Sequence, residues 1–175
     1  GNMGRRISSS LKGNVAYEIR PIERSDRGRE LLSAMGLTPI DQADAFAGAD
    51  VVIFAVPDRI VRDVAAEVVP LLDPGTSILF LDPAAVAAGR IPERLDINCF
   101  VTHPTHPPLY SLLSEPDAAA RTDYWGGGQA RQAIVFAVAW GDDEKAEAVE
   151  SLVKDMFAPI TVSHRITVDQ MAMLE

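Results

Sequence analysis

The residues best suited to acid–base chemistry lie in one short stretch, CFVTHPTHPP, near the middle of the chain. An imidazole can take a proton from a substrate hydroxyl, or return one to a carbonyl, near neutral pH. We therefore predict that His103 and His106 are catalytic. Two alternatives remain open: loop histidines that hydrogen-bond the backbone, or a zinc site completed by Cys99. Because Cys99 falls within an apolar strand, we expect no metal site.

A second candidate site is the amino-terminal sequence GNMGRRISSSL, in which two glycines precede an amphipathic helix. Glycine lets a backbone approach a ligand closely, and the N–H groups at a helix N-terminus bind phosphate. We predict that the amides of Gly1, Asn2, Met3 and Gly4 hold a pyrophosphate. The same glycines are also compatible with an ordinary loop or a cloning remnant.

An acidic residue, Glu23, ends the next predicted strand, about 20 residues past the second glycine, which is the spacing of dinucleotide-binding folds. Its carboxylate can accept hydrogen bonds from adenosine ribose hydroxyls, whereas it repels a ribose phosphate. The sequence therefore favours NAD as the cofactor. NADP stays possible because Arg24 is adjacent, and both charges are also compatible with a solvated turn.

Two apolar strands are followed by proline at the edge where doubly wound sheets bind their ligands. The first proline lies in AVPD and the second in FLDPAA. We expect Val56, Pro57 and Asp58 to border a nicotinamide ribose, with Pro83 in a similar position one strand later. Asp58 is also predicted to cap the following helix. Each proline is also compatible with a simple strand exit, which is the more frequent reason for a proline at such a position.

The elements that must position these residues alternate between strand and helix along almost the whole chain. The predicted strands are NVAYEIRPIE (14–23), LTPI (37–40), ADVVIFAVPD, GTSILFLDPA, INCFVTHP, QAIVFAVAW and APITVSH. This alternation predicts an α/β fold with a doubly wound, mostly parallel sheet. Residues 1–165 form the predicted dinucleotide-binding domain, and 166–175 begin a further helix. In that helix, Val168, Met171 and Leu174 form an apolar stripe that lacks a partner.

Composition narrows the classes of function further. The 175 residues are 47% hydrophobic and 23% charged, which is the balance of a globular domain. A net charge of -9 argues against a nucleic-acid-binding surface. The apolar runs are far shorter than the roughly 20 residues of a membrane span. One cysteine cannot form an internal disulfide, so we expect a cytoplasmic protein without a membrane partner.

The motifs GNMGRRI, ADVVIFAVPD, FLDPAA and FVTHPTHPP, together with Glu23, resemble the cofactor domain of the 6-phosphogluconate dehydrogenase-like superfamily. The similarity to prephenate dehydrogenases and ketol-acid reductoisomerases is more distant. The resemblance implies a Rossmann-type domain that binds NAD(P), a small acidic substrate such as a sugar-derived hydroxy acid, and a homodimer.

The resemblance also implies a first strand and a complete glycine loop before Gly1, and an all-helical domain after Glu175. Both are absent from this sequence, and a misplaced start codon at Met3 is another explanation for the first. We therefore expect an NAD(P)-dependent dehydrogenase or reductase domain. The alternative from another class is a non-catalytic nucleotide-binding or regulatory module.

Overall fold

A computed structural model of the protein describes residues 1–105, Ala119 and 131–174. Within these residues the α-helices are α1 (Asn2–Leu11), α2 (Asp26–Ala34), α3 (Gln42–Phe46), α4 (Asp58–Val68), α5 (Ala84–Ala87), α6 (Asp143–Phe157) and α7 (Val168–Leu174). The strands are β1 (Val51–Phe54), β2 (Ser77–Phe80), β3 (Asn98–Pro104), β4 (Gln132–Trp140) and β5 (Ile160–Arg165). α4 ends at Val68 and is followed by a 3-10 turn, Val69–Leu71, that contains Pro70, a residue that cannot continue an α-helix.

The strands form one five-stranded sheet in the order β1-β2-β3-β4-β5. β1 pairs with β2, β2 with β3, and β4 with β5 in parallel, whereas β3 and β4 are antiparallel. The predicted α/β fold with a mostly parallel sheet is therefore confirmed. Because consecutive parallel strands end at the same side of the sheet, the carboxyl ends of β1, β2 and β3 lie together.

The hydrophobic core has two parts, one on each face of the sheet, because successive side chains of a strand point in opposite directions. In β3, Cys99 and Val101 face the cluster that contains Ala65 of α4 and Met171 of α7. Phe100 faces the other cluster, which is closed by apolar side chains of α1 and α6: Ile7, Leu11, Val149, Leu152, Val153, Met156 and Phe157. Helices thus cover the sheet on both faces.

Two predicted strands, at 14–23 and 37–40, are wrong: neither segment joins the sheet. Ile40 N–H donates to the Pro21 carbonyl at 2.9 Å, but no ladder follows from that bond. A strand needs a neighbour about 4.7–4.9 Å away, and a cavity separates 16–23 from β1. The segment is anchored instead by the Tyr17 hydroxyl, which donates to Asp155 of α6 at 2.7 Å.

That cavity, which we call the open slot, has a volume of about 590 Å³. It lies between β1 on one side and residues 16–23 on the other, with α1, α2, α3 and α6 around it. Val51, Val52 and Ile53 of β1 are consequently only half-buried. The continuous apolar run in ADVVIFAVPD predicts a strand that is buried on both faces, and that prediction is wrong for these three residues. Every residue of β2, in contrast, is buried.

Two predicted helix features also differ from the structure. Asp58 is the first residue of α4 and Pro57 is its N-cap, so Asp58 does not cap the helix. The stripe predicted to lack a partner is partly covered: Met171 is 1% exposed, Val168 packs on the core, and Leu174 remains 74% exposed. No helix in the described part of the chain is long and apolar enough to cross a membrane.

Candidate functional site

A second cavity opens at the carboxyl ends of β1, β2 and β3, where the sequence places most of its candidate residues. It has a volume of about 320 Å³, and we call it the edge cavity. Its lining residues are Gly1, Asn2, Met3, Phe54, Ala55, Val56, Pro57, Asp58, Val61, Phe80, Leu81, Asp82 and His103. The rings of Phe54 and Phe80 stack there with centroids 4.6 Å apart. The lining of the edge cavity therefore combines two stacked aromatic rings with the polar residues Asn2, Asp58, Asp82 and His103.

The N-terminus of α1 borders both cavities. Gly1 is its N-cap and, within the described residues, no side chain caps the helix, so the first N–H groups have no side-chain acceptor at a helix end that lines the edge cavity. A Cβ added to Gly4 would lie 3.5 Å from Cβ of Ala55, while one added to Gly1 would meet nothing within 4 Å. This helix end has the backbone donors and the room that a pyrophosphate needs, so the residues present fit a dinucleotide.

His103 lines the edge cavity from the end of β3 and is half-buried. Its Nδ1 lies 3.0 Å from the carbonyl oxygen of Leu81. A carbonyl oxygen can only accept a hydrogen bond, so Nδ1 carries the proton and donates. In the neutral ring Nε2 is then a proton acceptor. His106 lies outside the described residues.

Glu23 lies at the rim of the open slot, together with Gly1, Gly4 and Ala55. Its Oε1 accepts hydrogen bonds from the Ser25 backbone N–H at 2.9 Å and from the Ser25 hydroxyl at 3.0 Å. The hydrogen bond from the Ser25 backbone, opposed in part by burial, lowers the pKa of Glu23 below its usual value. The carboxylate is therefore ionised near neutral pH.

Two candidate cofactor-binding residues lie away from both cavities. Arg24 forms an ion pair with Glu67 of α4 and donates to Gln42 at 3.1 Å, so its guanidinium is directed towards α3 and α4. Pro83 is the buried N-cap of α5 and lines neither cavity. The residue of that turn that reaches the edge cavity is the preceding aspartate, Asp82.

Sequence reasoning missed three residues at these cavities. Asp82 directly precedes the predicted residue Pro83 in FLDPAA, so the motif contained a signal for it. The Oδ1 atom of Asp82 accepts a hydrogen bond from Ala84 N–H at 2.8 Å. Ala55 lines both cavities, and Gly28 lies against Glu23. The last two have no signal in the sequence, because their positions depend on how α1 and α2 pack beside β1.

Of the possible zinc ligands that the structure describes, Cys99 lies in the core, whereas His103 lines the edge cavity. Cys99 is fully buried in β3, and burial raises the pKa of its thiol. Among residues 1–105, Ala119 and 131–174, no group of three histidine, cysteine, aspartate or glutamate side chains is arranged to hold a metal. The predicted absence of a metal stays a prediction, since His106 is not among these residues.

A doubly wound sheet with an uncapped helix N-terminus at its ligand-binding edge defines a Rossmann-type NAD(P)-binding domain. Comparison with known families agrees with that class. Residues 1–111 match the acetohydroxy acid isomeroreductase, NADPH-binding domain, and residues 114–175 match the phosphogluconate dehydrogenase (decarboxylating) C-term model. The chain belongs to the first of these families, among the 6-phosphogluconate dehydrogenase-like NAD(P)-binding domains.

Individual relatives extend the comparison. The chain is 43% identical over 176 aligned residues to D-apionate oxidoisomerase from Rhizobium rhizogenes, covering 100% of this chain and 63% of that protein. It also matches the solved structure of a semialdehyde dehydrogenase NAD-binding protein from Cupriavidus necator in complex with calcium and NAD, with a TM-score of 0.94 and 42% identity. That match covers 100% of this chain and 63% of the other. The chain thus spans less than two thirds of these relatives.

A more distant match shows the fold alone. An NADH-preferring ketol-acid reductoisomerase from an uncultured archean aligns with a TM-score of 0.73 at 18% identity, covering 96% of this chain and 50% of that chain. The predicted superfamily and its relation to ketol-acid reductoisomerases are confirmed by the family match over residues 1–111, and this structure agrees with the fold.

Proposed function

We propose that this chain is the cofactor domain of an NAD-dependent oxidoreductase that transfers hydride between the nicotinamide and a sugar-derived hydroxy acid. One observation carries the proposal: the open slot and the edge cavity share Gly1 and Ala55 at the carboxyl edge of the sheet. An ionised Glu23 lies beyond this shared border on one side, and His103 lies beyond it on the other. An extended dinucleotide lying along the carboxyl edge of the sheet, outside the open slot, would reach from Glu23 to His103.

The adenosine half is assigned to the Glu23 side of the border and the nicotinamide half to the edge cavity. The amides of Gly1, Asn2, Met3 and Gly4 hold the pyrophosphate between them. Val56, Pro57 and Asp58 border the nicotinamide ribose, and the carbonyl oxygens of this turn can accept from its hydroxyls. The bound cofactor supplies the hydride acceptor, and the protein orients it.

NAD is the preferred cofactor in this proposal. The carboxylate of Glu23 accepts from ribose hydroxyls and repels a ribose phosphate. The neighbouring cation does not offset that repulsion, because Arg24 is engaged by Glu67 and Gln42. Both cofactors occur among the relatives, because the matched family model is an NADPH-binding domain and the Cupriavidus necator protein was solved with NAD. The dissociation constants for NAD and NADP therefore test this preference directly.

His103 acts as the general base in the oxidative direction. With Nδ1–H donated to Leu81, its Nε2 can take the proton of a substrate hydroxyl as hydride leaves the same carbon. In the reductive direction the protonated ring returns that proton to the carbonyl oxygen. His106 remains a candidate for the same role, from the stretch that follows β3.

The substrate class rests on the relatives. Several proteins that the chain matches over its whole length are D-apionate oxidoisomerases, at 34–43% identity. We therefore propose a small sugar acid, with D-apionate as the first compound to test. The rest of the polypeptide contributes substrate contacts, and a homodimer in the cytoplasm stays a prediction.

The decisive experiment uses the full polypeptide that contains these residues, because the relatives extend beyond them. D-apionate and a panel of other sugar acids are supplied with NAD, and reduced nicotinamide is followed by its absorbance. We expect H103Q to lower kcat by about 10²–10⁴-fold while the dissociation constant for NAD changes little. H164Q is the matched control, because His164 is exposed on β5 and lines neither cavity.

The rival proposal, a non-catalytic nucleotide-binding module, makes the opposite prediction. In that case NAD still binds, and E23A still weakens its binding, but no sugar acid reduces NAD in the wild-type protein. If H103Q turns over as fast as the wild type, the assignment of His103 as general base is wrong, whereas the assignment of NAD as cofactor is unaffected.

A further inference from the structure

Glu23 is held in place from two sides. On one side, Ser25 donates both its backbone N–H and its hydroxyl to Oε1. The same hydroxyl accepts from Gly28 N–H at 3.1 Å and so also caps α2. On the other side, the carboxylate lies directly against the Cα of Gly28. Oε1 is therefore committed to Ser25, while Oε2 lies over the first turn of α2.

The space above Gly28 exists only because that residue has no side chain. A Cβ added there would lie 2.5 Å from Cγ of Glu23 and closer still to its carboxylate, which is inside van der Waals contact. Gly28 has no positive φ and lies within α2, so its backbone does not require glycine. The side chain of Glu23 is flexible and would move, whereas the helix could accept alanine without strain.

We propose that Gly28 is a positioning residue that sets the preference for NAD over NADP, by leaving room for the Glu23 carboxylate at the adenosine ribose. This inference rests on the proposed cofactor assignment. Ser25 holds one carboxylate oxygen of Glu23 by hydrogen bonds, and Gly28 leaves space for the other. Together, Ser25 and Gly28 position the carboxylate to accept hydrogen bonds from the ribose hydroxyls. Helix propensity alone would favour alanine at this position.

The test is G28A in the full polypeptide, with the dissociation constants for NAD and NADP measured by titration and thermal unfolding measured alongside. We expect the ratio of NADP to NAD dissociation constants to fall about tenfold, the equivalent of one hydrogen bond to a charged acceptor. We expect Tm to stay the same or rise. S33A is the matched control, because it changes an exposed residue of the same helix away from Glu23.

A double-mutant cycle that combines G28A with E23A distinguishes the role of Gly28 from the assignment of Glu23 to the ribose. If E23A leaves the cofactor ratio unchanged, the assignment of Glu23 to the ribose is wrong. If E23A changes the ratio and G28A does not, only the role of Gly28 is overturned. Support requires that G28A have no further effect on the ratio in the E23A background. Equal weakening of both cofactors with a lower Tm would mean a general structural defect instead.

Discussion

The neighbouring strands β1 and β2 have similar sequences but different surroundings. VVIF in β1 and SILF in β2 are both short and apolar, and their four residues pair in register. β2 has a paired strand on each side and is buried throughout. β1 pairs with β2 on one side and borders the open slot on the other, so three of its four residues are half-buried.

This difference shows that an apolar run specifies a strand but not how deeply it is buried. Burial depends on what lies beside the strand, and the neighbours of β1 are distant in sequence. Residues 17–23 illustrate the same point, because they face the open slot and belong to no strand. An extended segment becomes part of a sheet only when an adjacent strand satisfies its backbone groups.

The largest expected effect comes from filling the open slot. A polypeptide that carries a short apolar, β-branched segment ahead of Gly1 should pair with β1 and be much more stable than residues 1–175 alone. Burying about 400 Å² of apolar surface contributes roughly 10 kcal/mol, the whole stability of an ordinary domain. Denaturant unfolding and sedimentation measure the gain and any association of the shorter chain.

A segment of the same length built from glycine, serine and aspartate is the control for that experiment. It should leave the stability of residues 1–175 unchanged. If the shorter chain is a monomer with a sharp cooperative transition and full NAD affinity, the contrast between β1 and β2 has no energetic consequence.

The next effect uses a matched pair of isoleucines on the same face of the sheet. Ile134 of β4 is fully buried, whereas Ile53 of β1 is half-buried beside the open slot, and both contact the cluster under α1 and α6. We expect I134A to cost about 2–5 kcal/mol and I53A about half of that or less. Chemical denaturation of the two variants compares them directly, and equal losses would refute the difference in packing.

A smaller effect is expected from the ion pairs on α6 and β5. Burial raises the pKa of Glu150, but hydrogen bonds from Ser163, Arg165 and Lys154 together hold it below its usual 4.5. A lowered folded-state pKa stabilises the protein above pH 4.5, and that contribution disappears as the pH falls through the folded value.

Unfolding midpoints measured from pH 7 downwards should therefore fall less steeply in E150Q than in the wild type. E30Q, which changes an exposed glutamate on α2, is the control and should follow the wild-type curve. If E150Q follows the same curve as the wild type, the hydrogen bonds to Glu150 do not contribute to the stability of the folded state.

The smallest effect should come from removing metal ions. The buried strands β2, β3 and β4 are held by packing, and Cys99 is a buried apolar residue of β3. A chelator should leave Tm unchanged, and metal analysis should find no stoichiometric zinc. Zinc bound at Cys99 and His103 would overturn both the strand assignment and the role proposed for the histidine.

The sequence predicts best where local pattern and final environment agree. The strands β2 and β3 follow from short-range signals, because the apolar runs of GTSILFLDPA and INCFVTHP are buried as well as extended. Near the cavities, the position of His103 follows from the end of a predicted strand. Glu23 is predicted from its spacing from Gly4 and does line the open slot, although the strand predicted to end there does not form. The pairing of Arg24 with Glu67, and the contact between Glu23 and Gly28, depend on how distant helices pack, so no local pattern reveals them.

The difference between the two edges of β1 should also affect the rates at which its backbone amides exchange hydrogen with solvent. In a parallel strand, alternate N–H groups point to opposite neighbours, so half of those in β1 are protected by β2 and half face the open slot. Deuterium from the solvent should replace the slot-facing protons quickly, whereas exchange in β2 and β3 waits for the whole domain to unfold. A single strand would then carry fast and slow amides in alternation, and its exchange pattern would record which side has acquired a neighbour.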